Sequence, residues 1–287
     1  MPRKSKTKHI IFAIHGLSGR AAWFTRLAKR LEEHEVEFHA IDLRGFGFNT
    51  KQTHKAKSPR NPNFSLGFKK NSQTLREFAS TDVGHVDRYQ DWLEDCQEYY
   101  SKLKSRNPEA VITVLGHSLG GVLASNMEIY PGDQLILSTP GYKGHPETFN
   151  PAYVAKALLQ LALDRHKYLE LPISEKDDRW KITNKEGELI EPSDEDELKV
   201  MQVTANTLWQ VLQLGKQTKG NLRKLKDHRV LMIQCEEDQV VDNNVQDQMF
   251  RIIPSSDKTL KCFSNCCHDW IWFESVDKIS DEIAQWL

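Results

Sequence analysis

The residues best placed to do chemistry in this sequence surround a single serine. Residues 116–121 read Gly-His-Ser-Leu-Gly-Gly, so Ser118 lies in a GxSxG pattern. The pattern directly follows an apolar run at 111–115 and directly precedes a helical pattern, which is the strand–turn–helix setting of a nucleophilic serine. A glycine-rich turn with an N-capping serine would have the same residue pattern. The position between a strand and a helix favours the interpretation of Ser118 as a nucleophile.

A serine hydroxyl is a poor nucleophile at its ordinary pKa, so Ser118 needs a positioned base and an acid that orients this base. His268 follows the last predicted strand and Asp238 follows the strand before it, and the carboxyl ends of parallel strands meet at one edge of a sheet. We therefore predict that Ser118, Asp238 and His268 act together. Because the sequence contains 11 histidines, His268 is selected only by its place in this set. Three further acids lie close to Asp238 and keep its assignment open: Glu236, Glu237 and Asp242.

Attack on a carbonyl group also requires two backbone N–H groups that bind the developing oxyanion. Residues 15–19 read His-Gly-Leu-Ser-Gly and follow the first predicted strand, which is a suitable place for such a loop. We predict the Leu17 N–H as one donor. The Leu119 N–H, immediately after the serine, is predicted as the other.

These loops need a sheet to hold them. Short apolar runs rich in β-branched residues alternate with helical patterns, which indicates strand–helix units in a mostly parallel sheet. We predict an α/β fold with about six strands and with helices on both faces. The predicted strands cover residues 10–14, 36–43, 111–115, 134–138, 230–234 and 259–263. The predicted helices cover residues 22–33, an apolar stripe at 86–103, a helix that starts at Ser118, and residues 275–287.

One long segment between the fourth and fifth strands interrupts the alternation and is mostly helical in pattern. We predict a helical cap at 141–227, inserted into an α/β core formed by 1–140 and 228–287. Within this cap, apolar residues recur at helical spacing in 153–162. A second helix is predicted to begin after Ser193, whose side chain would cap it. Its apolar face would comprise Leu198, Met201, Leu208 and Leu212.

A basic segment at 50–76 interrupts the alternation a second time. It contains seven lysine and arginine residues and no acid. The simpler interpretation is a solvated loop, and the alternative is a weak contact with a membrane surface through its cations and interspersed apolar residues. Seven acids at 186–197 in the predicted cap are expected to face this basic loop and to favour closure of the cap.

The motif at 42–47, Asp-Leu-Arg-Gly-Phe-Gly, completes a set that resembles a known group of enzymes. Together with the serine, histidine and oxyanion motifs, it is similar to the α/β-hydrolase superfamily, and within it to the lysophospholipases, monoacylglycerol lipases and serine aminopeptidases. The resemblance covers 10–141 and 230–287. It implies an α/β-hydrolase fold, a triad of the serine, acid and histidine named above, and an ester substrate whose apolar acyl chain binds under the cap.

Composition restricts the partners of this chain of 287 residues. With 39 basic and 40 acidic residues its formal charge is −1, so no overall field directs it to nucleic acid. No stretch approaches the roughly 18 uncharged apolar residues of a membrane span. We predict a soluble, cytoplasmic protein, and the sequence leaves its oligomeric state open.

The five cysteines are predicted to be reduced thiols, since an odd number without a repeating spacing is typical of a cytoplasmic protein. Cys262, Cys266 and Cys267 lie close to His268 in the sequence, which suggests a metal cluster. Adjacent cysteines rarely both reach one ion in tetrahedral geometry. We therefore predict no metal site.

The predicted activity is hydrolysis of a carboxylic ester, lipid-like or with a small apolar acyl group, through an acyl-enzyme on Ser118 and without a cofactor. The same residues would also serve a thioesterase or an aminopeptidase-type amide hydrolase, in which acidic cap residues would bind the substrate ammonium group. A non-catalytic protein that binds a small molecule in the same pocket is the third interpretation. The presence of all three reactive residues argues against it.

Overall fold

The structure of this chain, a computed structural model, is built on one six-stranded parallel sheet. It describes residues 8–51, 81–172, 182–183, 189–190, 198–273 and 275–287. The strands are β1 (His9–Ile14), β2 (Glu37–Ile41), β3 (Val111–His117), β4 (Gln134–Ser138), β5 (Tyr168–Glu170), β6 (Ile182–Thr183), β7 (Leu189–Ile190), β8 (Gln202–Thr204), β9 (Arg229–Cys235) and β10 (Lys258–Phe263). The sheet has the order β10-β9-β4-β3-β1-β2, which confirms the predicted α/β fold with six strands.

Seven α-helices lie in the described part of the chain. They are α1 (Thr25–Glu32), α2 (Tyr89–Arg106), α3 (Leu119–Ala124), α4 (Pro151–Leu163), α5 (Ala205–Leu222), α6 (Asn243–Ile252) and α7 (Ser275–Trp286). The helix predicted at 22–33 is divided, because a 3-10 turn at Ala21–Phe24 leads into α1. None of the helices described is both long enough and apolar enough to cross a bilayer.

Apolar residues on both faces bury the sheet between two layers of helices. Ile10, Phe12 and Ile14 of β1 contact one layer, whereas Ile11 and Ala13 contact the other, as the two-residue period of a strand requires. All five are fully buried. One layer contains α2, α3 and α5, and the other contains α1 and α7. A parallel sheet that is covered on both faces needs such continuous apolar strands, and the helices lie on both faces as predicted.

The order of the strands brings the predicted loops to one edge. β1 and β3 are neighbours, with Ile14 opposite Gly116, and β3 and β4 are neighbours, with His117 opposite Ser138. The chain order of the strands reverses between β1 and β3. Ligands of open α/β sheets bind outside the carboxyl ends of the strands at such a point. The loops after β1, β3, β9 and β10 therefore surround one location.

The segment between β4 and β9 differs in part from its prediction. Helix α4 covers the stripe predicted at 153–162, but the second helix begins at Ala205 rather than after Ser193, which lies outside the described residues. Leu198 and Met201 precede this helix. The reason is that β8 pairs with β5, and the Thr204 side chain then caps the helix. The division into core and cap stays a prediction.

The basic and acidic segments fall largely outside the described residues. The described start of the basic segment consists of Thr50, which pairs with Thr81, and Lys51, whose Nζ lies 3.6 Å from a carboxylate oxygen of Asp82. The acidic run at 186–197 contributes no described acid. The expected attraction between these two segments therefore stays a prediction.

Buried hydrogen bonds attach the start of α5 to the segment before α2. Asn206 Nδ2 donates to the carbonyl oxygens of Val86 at 2.6 Å and Asp87 at 3.1 Å. The Val86 N–H donates to Thr207 Oγ1 at 3.1 Å, and this hydroxyl donates to Gly84 O at 3.0 Å. Asn206 and Thr207 are almost completely buried. Because buried polar groups are costly without partners, this network fixes α5 against the core.

Replacing Asn206 with alanine should lower the free energy of unfolding by about 1–3 kcal/mol, because the buried Val86 carbonyl and the partly buried Asp87 carbonyl would lose their donor. Thermal and urea unfolding measure the change. The control is Lys219→Ala on the exposed side of the same helix, for which we expect a change below about 0.5 kcal/mol. Equal stability of the two variants would contradict the anchoring role of Asn206.

Candidate active site

Ser118 occupies a strained turn between β3 and α3. Its backbone has φ 54° and ψ −117°, and residues other than glycine rarely adopt a positive φ. The Ser118 N–H donates to Ser138 O at 3.0 Å, while the Ser118 carbonyl accepts from the N–H groups of Gly121 at 2.9 Å and Gly141 at 3.0 Å. These bonds on both sides of the residue hold the unfavourable conformation in place.

Three glycines allow the surrounding segments to approach one another. A Cβ atom on Gly120 would overlap the backbone oxygen of Ile14, and one on Gly116 would overlap the backbone of Gly120. A Cβ atom on Gly16 would lie 3.0 Å from Cβ of Ser118. The glycines of the sequence motif are therefore explained by the close approach of β1, β3 and α3.

The three side chains predicted to act together are in direct contact. His268 Nε2 lies 2.9 Å from Ser118 Oγ, and His268 Nδ1 lies 2.8 Å from Asp238 Oδ2. We assign the histidine proton to Nδ1, because its partner is a carboxylate, so Nε2 is left to accept the serine proton. His268 and Asp238 are buried, which strengthens both hydrogen bonds relative to bonds in water.

Among the four acids near position 238, the geometry selects Asp238. Its Oδ1 accepts the backbone N–H groups of Val240 and Val241, both at 2.9 Å. These two bonds fix the carboxylate with its other oxygen directed at His268. The remaining acids of this loop are placed elsewhere: Glu236 and Glu237 are exposed, and Asp242 caps α6.

A disulfide joins the loops that carry the acid and the histidine. Cys235 and Cys266 are bonded through their sulfur atoms, with Cα atoms 4.9 Å apart, and the Glu237 N–H donates to Cys266 O at 3.2 Å. The prediction of five reduced thiols is therefore wrong for this pair, because the parallel pairing of β9 and β10 brings the two thiols together. The bonded sulfur of Cys266 also removes it from the metal cluster considered above. Three cysteines are free: Cys96, Cys262 and Cys267.

The charges around His268 favour its protonated form. Burial has the largest single effect and lowers the pKa of His268, but the charge and hydrogen bond of Asp238, together with the charge of Asp269, raise this pKa above its ordinary value of 6.5. Such an environment stabilises the imidazolium that forms when the ring takes up a proton.

The peptide groups predicted to bind an oxyanion are held by their neighbours. The Gly16 carbonyl accepts from His15 Nδ1 at 2.7 Å and from the Gly19 N–H at 3.2 Å. Because C=O and N–H of a trans peptide point in opposite directions, these bonds turn the Leu17 N–H away from its own loop. The bonds to the Ser118 carbonyl orient the N–H of the following residue, Leu119, in the same way. This orientation is compatible with two oxyanion donors.

A family model described as serine aminopeptidase, S33, matches residues 5–275 of this chain. The chain belongs to this family of α/β-hydrolases. A soluble variant of monoglyceride lipase from Saccharomyces cerevisiae, in complex with a substrate analog, has 19% sequence identity and a TM-score of 0.72, with 100% of this hydrolase and 88% of that chain covered. Monoacylglycerol lipase from Paleococcus ferrophilus has 15% identity and a TM-score of 0.71, with 96% and 93% covered.

A third solved structure of the same fold is a highly thermostable carboxyl esterase from Bacillus coagulans in complex with glycerol. It has 13% identity and a TM-score of 0.63, with 98% of this hydrolase and 90% of that chain covered. At these identities the likeness concerns the fold. A comparison with curated proteins gives no match. The family match confirms the expected resemblance to the α/β-hydrolases and, within them, to the serine aminopeptidases.

The turn after β2 supports the loop after β1 in this hydrolase. The Leu43 N–H donates to His15 Nε2 at 3.0 Å, and Asp42 Oδ1 accepts from the Ala21 N–H at 2.6 Å. His15 is buried, and burial lowers its pKa, so the ring stays neutral and can accept this N–H. The motif at 42–47 is recognised in the sequence only by resemblance, and the structure gives it a physical role: it fixes both ends of the loop that carries Leu17.

Two further side chains beside His268 escape prediction from the sequence. The ring of His117 lies 5.2 Å from the ring of His268, measured between centroids, and His117 Nε2 lies 3.4 Å from Asp269 Oδ1. A polar side-chain atom of each of these three residues lies within 4.8 Å of the other two. Each is engaged in hydrogen bonds, so we assign them to a hydrogen-bond network. Direct adjacency to Ser118 and His268 in the sequence is the one signal that points to them.

Replacing Gly120 with alanine should destabilise this hydrolase by about 1–3 kcal/mol, because the new Cβ atom would overlap Ile14 O. Reaction of Ser118 with a fluorophosphonate should slow in parallel. The matched control is Gly215→Ala in α5, where nothing lies within 4 Å of the added Cβ atom. This control should gain about 0.5–1 kcal/mol from helix propensity. Thermal melts that rank the two variants in the opposite order would show that the close packing is misassigned.

Proposed function

We propose that this hydrolase cleaves carboxylic esters through an acyl-enzyme intermediate on Ser118. The observation that supports this most is the continuous hydrogen-bonded chain from Ser118 through His268 to Asp238, with lengths of 2.9 and 2.8 Å. It supplies a nucleophile, a base and a group that orients the base. The proposed reaction uses no metal ion and no organic cofactor.

In the proposed reaction, His268 Nε2 takes the Ser118 proton as Oγ attacks the ester carbonyl carbon. The N–H groups of Leu17 and Leu119 bind the oxyanion of the tetrahedral intermediate. Its collapse breaks the bond to the alcohol, which leaves with the proton from His268, and the acyl group stays on Ser118. A water molecule deprotonated by His268 then attacks this ester, the acid is released and Oγ regains its proton. Asp238 stays ionised throughout and stabilises the imidazolium.

A lipid-like or other apolar acyl group is the proposed feature of the substrate. Helix α4 is rich in apolar residues and yet contains no buried residue. A surface helix of a globular protein normally buries its apolar side, and exposed apolar patches are typical of binding surfaces. The exposed apolar side chains include Val154, Leu158, Leu159 and Leu163 of α4 and Leu212 of α5. We assign both helices to a cap at 141–227, and the fold similarity to monoglyceride lipases supports the same substrate class.

Thioester or amide hydrolysis is the alternative activity, since the same three side chains would serve it and the family description names an aminopeptidase. An aminopeptidase must bind the ammonium group of its substrate, for which the sequence offers the acids at 186–197. A requirement for a free amino terminus would favour this alternative. A non-catalytic role is disfavoured because Ser118, His268 and Asp238 are hydrogen-bonded to one another.

Hydrolysis of p-nitrophenyl esters across acyl lengths tests the proposed activity. Ser118→Ala should reduce turnover on the order of 10⁴–10⁶-fold and abolish labelling by a fluorophosphonate, because the nucleophile is removed. The matched control is Ser105→Ala, since Ser105 is exposed on α2. Labelling at another residue, or turnover that survives in Ser118→Ala, would contradict the assignment. Labelling of Ser118 without ester turnover would favour an amide or thioester substrate.

A weak contact with a membrane surface is proposed for the same substrate class. The exposed apolar side chains of α4 and the cations at 50–76 are its two sources of support. Apolar side chains that insert at the interface and cations that approach anionic lipid act together in such contacts.

Sedimentation with vesicles of anionic phospholipid tests this contact. Replacing Leu158, Leu159 and Leu163 with serine should weaken vesicle binding at least about tenfold, while labelling of Ser118 by a small fluorophosphonate stays within about twofold. Replacing the five lysines of the basic segment with glutamine should weaken vesicle binding in a salt-dependent way. Glutamine at the exposed positions Lys219, Lys224 and Lys226 is the control. Unchanged binding of both test variants would exclude the contact.

A further inference from the structure

The Asp269 carboxylate is a second negative charge beside His268. Asp238 is hydrogen-bonded to the ring, whereas Asp269 follows His268 directly in the chain and brings a carboxylate oxygen within 4.8 Å of one of its ring nitrogens. We infer that Asp269, held in place by His117, is a positioning residue that stabilises the protonated His268 during acyl transfer. This inference rests on the proposed function.

His117 is arranged to hold this carboxylate. Its Nε2 lies 3.4 Å from Asp269 Oδ1. Its Nδ1 lies 3.2 Å from Thr139 Oγ1 and 3.4 Å from Ser138 Oγ, both of which can donate a hydroxyl proton. Trp270 Nε1 in turn donates to Ser138 Oγ at 2.8 Å. We therefore assign the His117 proton to Nε2, from which it is donated to the carboxylate.

The charge states in this cluster agree with such a role. Burial lowers the pKa of His117, so its ring stays neutral and adds no cation that would compete with His268. Burial alone would raise the pKa of Asp269, but the hydrogen bond from His117 and the charges of His268 and Lys199 hold it below its ordinary value. Asp269 is therefore ionised whenever the enzyme is active. The neutral His117 ring thus holds the negatively charged Asp269 carboxylate beside His268.

The other groups that face this cluster do not replace the charge of Asp269. Asp238 faces His268 from the loop after β9, and Ser118 and His117 face it from the end of β3. Cys267 lies on the same loop as His268, and burial raises the pKa of its thiol well above the working range, so it stays uncharged. Among the described residues, the charge of Lys199 also acts on Asp269, and His117 acts on His15, whose ring is neutral.

The sign of the expected pH effect follows from these charges. His268 must be neutral to take the serine proton, so kcat/KM rises as the pH passes upward through the pKa of His268. Two carboxylates hold this pKa above 6.5 in the wild-type enzyme. Removal of one carboxylate lowers the pKa, so the acidic limb of the profile moves to lower pH. The protonated ring in the transition state also loses stabilisation, so the plateau of kcat/KM falls.

The experiment measures the pKa of His268 by NMR titration of its imidazole in the full-length protein, together with the pH dependence of kcat/KM. Asp269→Asn, which keeps the shape of the side chain, should lower this pKa and the midpoint of the acidic limb by about 0.5–1 pH unit. The plateau should fall about 3–10-fold. Asp269→Glu should keep the midpoint near that of the wild type. Asp277→Asn removes a carboxylate that pairs with Arg26 and Arg30 on the surface and should change neither quantity.

An unchanged His268 pKa in Asp269→Asn would overturn the inference, and so would a lowered pKa with an unchanged pH–rate profile. Equal midpoints of the acidic limb for Asp269→Asn and Asp269→Glu would overturn it as well. The midpoint would then not depend on the charge at position 269, as it must if the carboxylate stabilises protonated His268. Failure of the proposed function gives a different result. The wild-type enzyme would then show no ester turnover and no labelling of Ser118, while the NMR titration still decides whether Asp269 acts on His268.

Discussion

The hydrogen bond between Ser118 and His268 joins residues that lie 150 positions apart in the chain. Its length of 2.9 Å depends on the register of three successive strand pairs, β3 with β4, β4 with β9, and β9 with β10. A slip of one residue in any pair would displace a loop by about 3.3 Å. The apolar layers on both faces of the sheet prevent this slip, so the proposed chemistry depends on the packing of the core.

The features that could be predicted from the sequence are those with a local signal. Continuous apolar runs predict strands, and the GxSxG pattern predicts the turn, because few other residues tolerate the approach of Ile14 to α3. The disulfide between Cys235 and Cys266 has no such signal, since it depends on the pairing of β9 with β10. Because these two cysteines are bonded, the argument from five reduced thiols no longer supports the predicted cytoplasmic location. The prediction that Leu198 and Met201 lie on the second cap helix is wrong for the same reason. Pairing of β8 with β5 makes Thr204 the cap instead.

Three buried histidines near this edge have different protonation behaviour, and the difference lies in their contacts with acids. Burial lowers the pKa of His15 and His117, whose ring nitrogens meet backbone groups, hydroxyls and one carboxylate at 3.4 Å. His268 is also buried, but it is hydrogen-bonded to the Asp238 carboxylate, and its pKa is raised. The rings of His15 and His117 therefore stay neutral and hold neighbouring groups in place, whereas the surroundings of His268 favour its protonated form. The cost of burying Asp238 is offset by the two N–H groups that bind its other oxygen.

The two helices assigned to the cap contribute differently to the protein. Helix α5 buries Leu214 and Leu222 in the core and is attached through Asn206, so substitutions there act on stability. Helix α4 buries no residue, so its apolar side chains can change with little effect on the core. Because the register of the sheet does not depend on α4, the distance between Ser118 and His268 does not depend on it either. If α4 binds the acyl group as proposed, variation on this helix changes the bound substrate while Ser118 and His268 stay in place.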